Sequence, residues 1–125
     1  MIEGKYRFHG HSSLRYVYRN GSMARSRLLT LRYANNPHRV HSRVAVVVSK
    51  KVVKAAPKRN RIRRRIFEAL RLDWENIAEH KDLIVNVHSA EFLTIPFEEI
   101  QTEISHLLHS AHVYDKQHQP PKEPS

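Results

Sequence analysis

Residues 46–71 read VVVSKKVVKAAPKRNRIRRRIFEALR, and this stretch decides the fold. Val46, Val47 and Val48 belong to a nearly continuous β-branched run from Val40 to Ser49. Such a run predicts a strand covered on both faces. Lys50 and Lys51 open a loop, and Pro57 suits the first turn of a helix, where its missing N–H costs nothing. From Pro57 to about Leu72 the apolar residues recur at helical spacing. At about 100° per residue, Ile62, Ile66, Ala69 and Leu70 share one face, while Arg61, Arg64, Arg65 and Arg71 lie opposite. An amphipathic helix with an apolar floor and a cationic roof needs a partner layer, and the adjoining strand supplies it.

Working outward, residues 1–11 read as extended. Ser12 or Ser13 is a candidate cap for a short helix through Leu14, Val17 and Tyr18 that Gly21 ends. Leu28 to Tyr33 has strand composition, and Asn35-Asn36-Pro37 signals a turn. Beyond the arginine helix, Leu83 to Val87 reads as a second buried strand. Thr94 is a candidate N-cap for a last helix, with Pro96, Glu98 and Glu99 in its first turn. Ile100, Ile104, Leu107, Leu108 and Ala111 form that helix's apolar stripe. The order is α-β-β-α-β-α, a two-layer α+β sandwich, and the strands flanking the arginine helix are candidates for parallel neighbours. One domain is expected over residues 1–114, with a disordered tail at 115–125 carrying QHQPPKEPS.

Charge restricts function. The 125 residues hold 22 Lys and Arg against 12 Asp and Glu, a net +10, with pI near 10.3. This is the footprint of a polyanion binder. Ten basic residues fall between Lys50 and Arg71 with Glu68 the only acid, whereas ten of the 12 acids lie from Asp73 onward. The polyanion surface therefore belongs to the middle and N-terminal parts. There are no cysteines, so disulfides and thiolate zinc are excluded and a cytoplasmic location is expected. No apolar run approaches the roughly 20 residues of a membrane span, and MIEGKYRFHGHSS has no apolar h-region of a secretory signal.

The strand end Ser49-Lys50-Lys51, the short loop, and then Arg59-Asn60, Arg63-Arg64 and Glu68-Ala69-Leu70-Arg71 on a helix resemble the signature of the bacterial ribonuclease P protein family. Phe8, the helix Leu14 to Tyr18, Asn20-Gly21 and Arg27 extend the resemblance N-terminally, and the Asp82-to-Val87 strand and last helix extend it C-terminally, over roughly residues 7–112. Departures from the pattern stand at Leu14, Val53 and Phe67. The resemblance implies a left-handed β-α-β crossover and a protein that assists a catalytic RNA in removing the 5′ leader of precursor tRNA. That RNA would perform the hydrolysis with Mg2+ held mainly by RNA, the protein alone would be inactive, and no role would fall to DNA or a membrane. The RNA-binding set would be Lys50, Lys51, Lys54, Lys58, Arg59, Asn60, Arg61, Arg63, Arg64 and Arg65. The leader would lie against Phe8, Leu14, Tyr18, Arg27 and Arg32.

Plainer readings compete. A run such as Arg59–Arg65 is usually a solvated helix face, but here it lacks acidic partners and repels itself unless a polyanion offsets it. Phe8, Tyr16 and Tyr18 are core candidates, and Phe8 and Tyr18 are equally candidates for stacking platforms. His106, His109 and His112 recur at three-residue spacing, yet without Cys, HExxH or a carboxylate cluster they do not predict a protein-held metal. The scattered acids do not pair as a two-metal nuclease would need. A ribosomal or general structured-RNA-binding protein is the alternative function.

Overall fold

The structure, a computed structural model, describes residues 11–36, 41–78 and 80–111. Phe8, His112 and the tail from Asp115 lie outside them. The elements run α1 (His11–Asn20), β1 (Ser22–Arg25), β2 (Leu29–Asn35), β3 (Arg43–Val48), α2 (Ala56–Asp73), β4 (Lys81–Val87) and α3 (Phe97–Ser110), with 3-10 turns at Trp74–Asn76 and Ala90–Leu93. One four-stranded sheet has the order β1-β2-β4-β3. β2 pairs antiparallel with both β1 and β4. β3 and β4 are parallel neighbours, Val44 facing Leu83 and Val48 facing Val87, and α2 is the crossover between them.

The period of two along each strand separates two cores. Leu29, Leu31, Val44, Val46, Val48, Leu83, Val85 and Val87 turn to the face covered by α2 and α3, where they meet Ile62, Ile66, Leu70, Ile100, Ile104 and Leu108. Ala34, Ala45 and Ile84 turn to the opposite face, where Val17 of α1 closes over them and Leu14 packs at the margin. α1 covers the second face only in part, yet burial on both sides is why β4 and its edge neighbour β3 read as nearly continuous apolar runs rather than alternating ones. Val53 and Phe67, two departures from the family pattern, are buried in the larger core.

Gly21 is required by close approach. Its N–H donates to Val17 O at 2.8 Å, closing α1, and a Cβ there would stand 2.5 Å from Val17 O and 2.6 Å from Tyr33 O. At the far end of the α1-side face, Arg43 donates from Nε and Nη2 to buried Asp82 at 3.0 and 2.9 Å, and Asn36 adds a third donor at 2.9 Å.

Three expectations are corrected. α1 begins at His11, so Ser12 and Ser13 sit inside its first turn rather than at its cap. β1 adds a short edge strand before the two expected ones; its four residues, SMAR, have no apolar alternation, and pairing with β2 rather than local composition makes it a strand. Thr94 does not cap α3. It closes the preceding 3-10 turn, its N–H donating to Glu91 O at 3.0 Å. α3 starts at Phe97, with Pro96, extended at φ −57°, ψ 147°, in the capping position and no side-chain cap; the proline also drives Ile95 before it out of helical geometry.

Candidate nucleic-acid interface

Two basic surfaces emerge from this frame. The first is the outer side of α2 and the turn leading into it. After β3 the chain folds tightly, Val52 and Val53 N–H donating to Ser49 O at 3.1 and 3.2 Å, and this turn projects Lys50 and Lys51 into solvent. α2 then starts with no side-chain cap and no acid in its first turn, leaving the positive end of the helix dipole undiminished. Lys54, Lys58, Asn60, Arg61 and Arg64 are exposed. Among the described residues, none of these lysines and arginines forms an ion pair with a carboxylate.

The other cations of α2 are partly engaged. Arg59 bends back, donating from Nη1 to Val53 O at 3.0 Å and Lys54 O at 2.6 Å, and so braces the basic loop. Arg63 donates to the Asn60 side chain one turn earlier. Arg71 is bound to Glu68 by both Nε and Nη2; that hydrogen bond holds the Glu68 carboxyl down at about 2 and raises the Arg71 guanidinium. Arg65 departs from the sequence reading. It does not lie opposite the apolar floor but on the flank facing α3, half-buried, with Nη1 on Phe92 O at 2.7 Å and Nη2 on Ile95 O at 2.6 Å. The arginine ties α2 to the 3-10 turn Ala90–Leu93 and to the entry of α3.

The second surface is the part of the sheet left uncovered beside α1. Tyr18, 43% exposed, is not core. Its hydroxyl donates to Asn86 Oδ1 at 3.1 Å, and the Arg32 guanidinium stands over its ring at 4.8 Å, within cation–π range. Sheet register continues this face: Arg25, Thr30, Asn86 and Val47 form one transverse row, and Met23, Arg32, Ile84 and Ala45 the next. His88 Nε2 lies 2.6 Å from Thr30 Oγ1 at the end of β4. Thr30 is 4% exposed, so its hydroxyl is out of reach of a phosphate despite the adjacent imidazole.

The expected leader set is therefore only partly brought together. Tyr18 and Arg32 meet where α1 crosses the sheet, and Leu14, one turn earlier on α1, packs against the smaller core. Arg27 does not join them: it lies in the β1–β2 turn and faces Glu91 across 3.5 Å. It also lines a cavity of about 310 Å3 with Leu28, Ile95, Glu98, Glu99, Thr102 and Glu103, whose acidic walls repel phosphate. Sequence reading missed Asn86, whose signal was a lone amide in the apolar run Leu83–Val87. Among the described residues, no three His, Asp or Glu side chains converge to hold a metal.

A basic helix beside an aromatic-bearing sheet face matches a known family along almost its whole length. The ribonuclease P family pattern matches residues 2–112. The chain belongs to the ribonuclease P protein family. It is 36% identical over 102 residues to the ribonuclease P protein component of Clostridium novyi, covering 81% of this chain and 88% of that one. It is 33% identical over 99 residues to that of Prochlorococcus marinus strain AS9601, covering 69% and 77%. The solved ribonuclease P protein of Staphylococcus aureus superposes with a TM-score of 0.77 at 28% identity, over 88% of this chain and 98% of the other. The chain thus belongs to a family of RNA-binding protein components of a ribonucleoprotein that support the ribonuclease P RNA in tRNA 5′ processing.

Proposed function

We propose that this ribonuclease P protein divides its two basic surfaces between two RNAs. The open face of α2, with Lys50, Lys51, Lys54, Lys58, Asn60, Arg61, Arg63 and Arg64, docks on the catalytic RNA through phosphates. Arginine offers bidentate phosphate contacts there, and the uncapped helix start adds N–H groups and dipole. The ledge beside α1, with Leu14, Tyr18 and Arg32, receives the single-stranded 5′ leader of precursor tRNA. Stacking on an aromatic within a cationic setting is how single strands are held with little base preference.

The observation that carries this division is the geometry at Tyr18. An exposed ring, fixed at its hydroxyl and flanked by a guanidinium, is a stacking platform; a core tyrosine would be buried. Hydrolysis belongs to the catalytic RNA and to Mg2+ held mainly by its phosphates, because Mg2+ prefers oxygen ligands and retains water. The complex would work in the cytoplasm. The test is reconstitution. Protein alone should leave precursor tRNA intact, and adding the cognate RNA with Mg2+ should give cleavage at the mature 5′ end. Site-specific cleavage by RNA-free protein would overturn the proposal.

A further inference from the structure

Asn86 sits where an apolar side chain would serve the fold better. Its neighbour across β3 is Val47 and across β2 is Thr30, and Ile84 and Ala45 lie in the next row of the same sheet face. Among the described residues, the buried amide Nδ2 has no hydrogen-bond partner. A buried donor left unpaired is a stability cost. Among the described residues, the amide's Oδ1 is engaged only by the hydroxyl of Tyr18, at 3.1 Å. That bond joins an exposed ring to the sheet, and water would replace it readily at an exposed hydroxyl. As a contributor to folding, Asn86 is therefore unfavourable. What it does achieve is to fix the far end of the Tyr18 ring, while Arg32 stands over the ring at 4.8 Å.

We propose that Asn86 is a positioning residue for the leader, holding Tyr18 as a pre-oriented stacking platform at some expense of stability; this rests on Tyr18 belonging to the leader site. A ring held at both hydroxyl and face loses less freedom when a base stacks on it, so affinity rises without any contact between Asn86 and RNA. Stability given up at a site that binds is a familiar compromise.

The test uses holoenzyme reconstituted from the cognate RNA and Asn86→Leu, Tyr18→Phe, Tyr18→Ala or the Asn86→Leu/Tyr18→Phe double variant. Dissociation constants for precursor and mature tRNA are measured alongside the melting temperature of each free protein. Asn86→Leu should weaken precursor binding about three- to tenfold, the range of one net hydrogen bond. Mature tRNA binding should hold, and the variant should melt no lower than the parent. Tyr18→Phe should give the same loss, and the double variant no further loss. If Tyr18→Ala weakens precursor binding but Asn86→Leu does not, the positioning role is wrong and the leader assignment stands. If Tyr18→Ala leaves precursor binding unchanged, both fall. An Asn86→Leu protein that melts early and loses both tRNAs alike would make Asn86 merely structural and overturn the proposal.

Discussion

Adjacent arginines on α2 should behave oppositely. Arg64 is exposed, whereas Arg65 donates to Phe92 O and Ile95 O at 2.7 and 2.6 Å. Arg65→Ala removes two charge-assisted bonds and leaves two carbonyls at a helix entry without their donors. Such bonds are worth about 1.5–3 kcal/mol each at best. Arg65 is only half-buried, so the combined loss should be about 2–3 kcal/mol. For a domain of this size that lowers Tm by roughly 8–12 °C, at about 4 °C per kcal/mol. Arg64→Ala touches no fold contact and should shift stability by no more than about 0.5 kcal/mol. It should instead flatten the slope of log K against log salt for the catalytic RNA by about 0.7–0.9, one phosphate contact. Thermal melts by circular dichroism and filter binding across a salt series give both quantities from the same preparations. An Arg65→Ala protein that melts with the parent and flattens the salt slope as Arg64→Ala does would refute the assignment of Arg65 as a tether.

Further expectations follow from individual pairs. Arg43→Ala strands Asp82, 1% exposed, with Asn36 its one remaining side-chain donor among the described residues, and should cost about 3 kcal/mol in urea melts; a neutral result would mean the site floods with water. The Glu68 carboxyl should titrate at about 2 by NMR and return toward 4.5 in Arg71→Ala. A folded value below the unfolded one means that the pair's contribution is complete above the ordinary carboxylate range and is lost as pH falls toward 2. Unchanged titration in Arg71→Ala would show that Arg71 is not its partner.

The sequence was most informative where one physical signal dominated. The β-branched run ending at Val48 and the floor Ile62, Ile66, Ala69 and Leu70 specify a buried strand and its covering helix, because burial leaves little choice of residue. β1 was invisible because Ser22–Arg25 is a strand only by virtue of its partner. Arg65 was misplaced because, at about 100° per residue, it stands only about 60° from Ile62, on the flank of the apolar stripe rather than opposite it, and there the carbonyls of Phe92 and Ile95 meet it. Arg27 was misplaced because adjacency in sequence to β2 does not tell which side of the β1–β2 turn a side chain leaves. Tyr18 and Arg32, by contrast, belong to elements whose period was readable, and they do meet.

The most direct test of the two-surface account is site-specific photocrosslinking in the assembled holoenzyme bound to precursor tRNA. A photoreactive p-benzoylphenylalanine replaces Tyr18 in one preparation and Arg64 in another, and the crosslinked nucleotides are mapped. The account predicts adducts from position 18 to leader nucleotides and from position 64 to the catalytic RNA. Adducts from position 18 only to the catalytic RNA, or from position 64 to the leader, would contradict it.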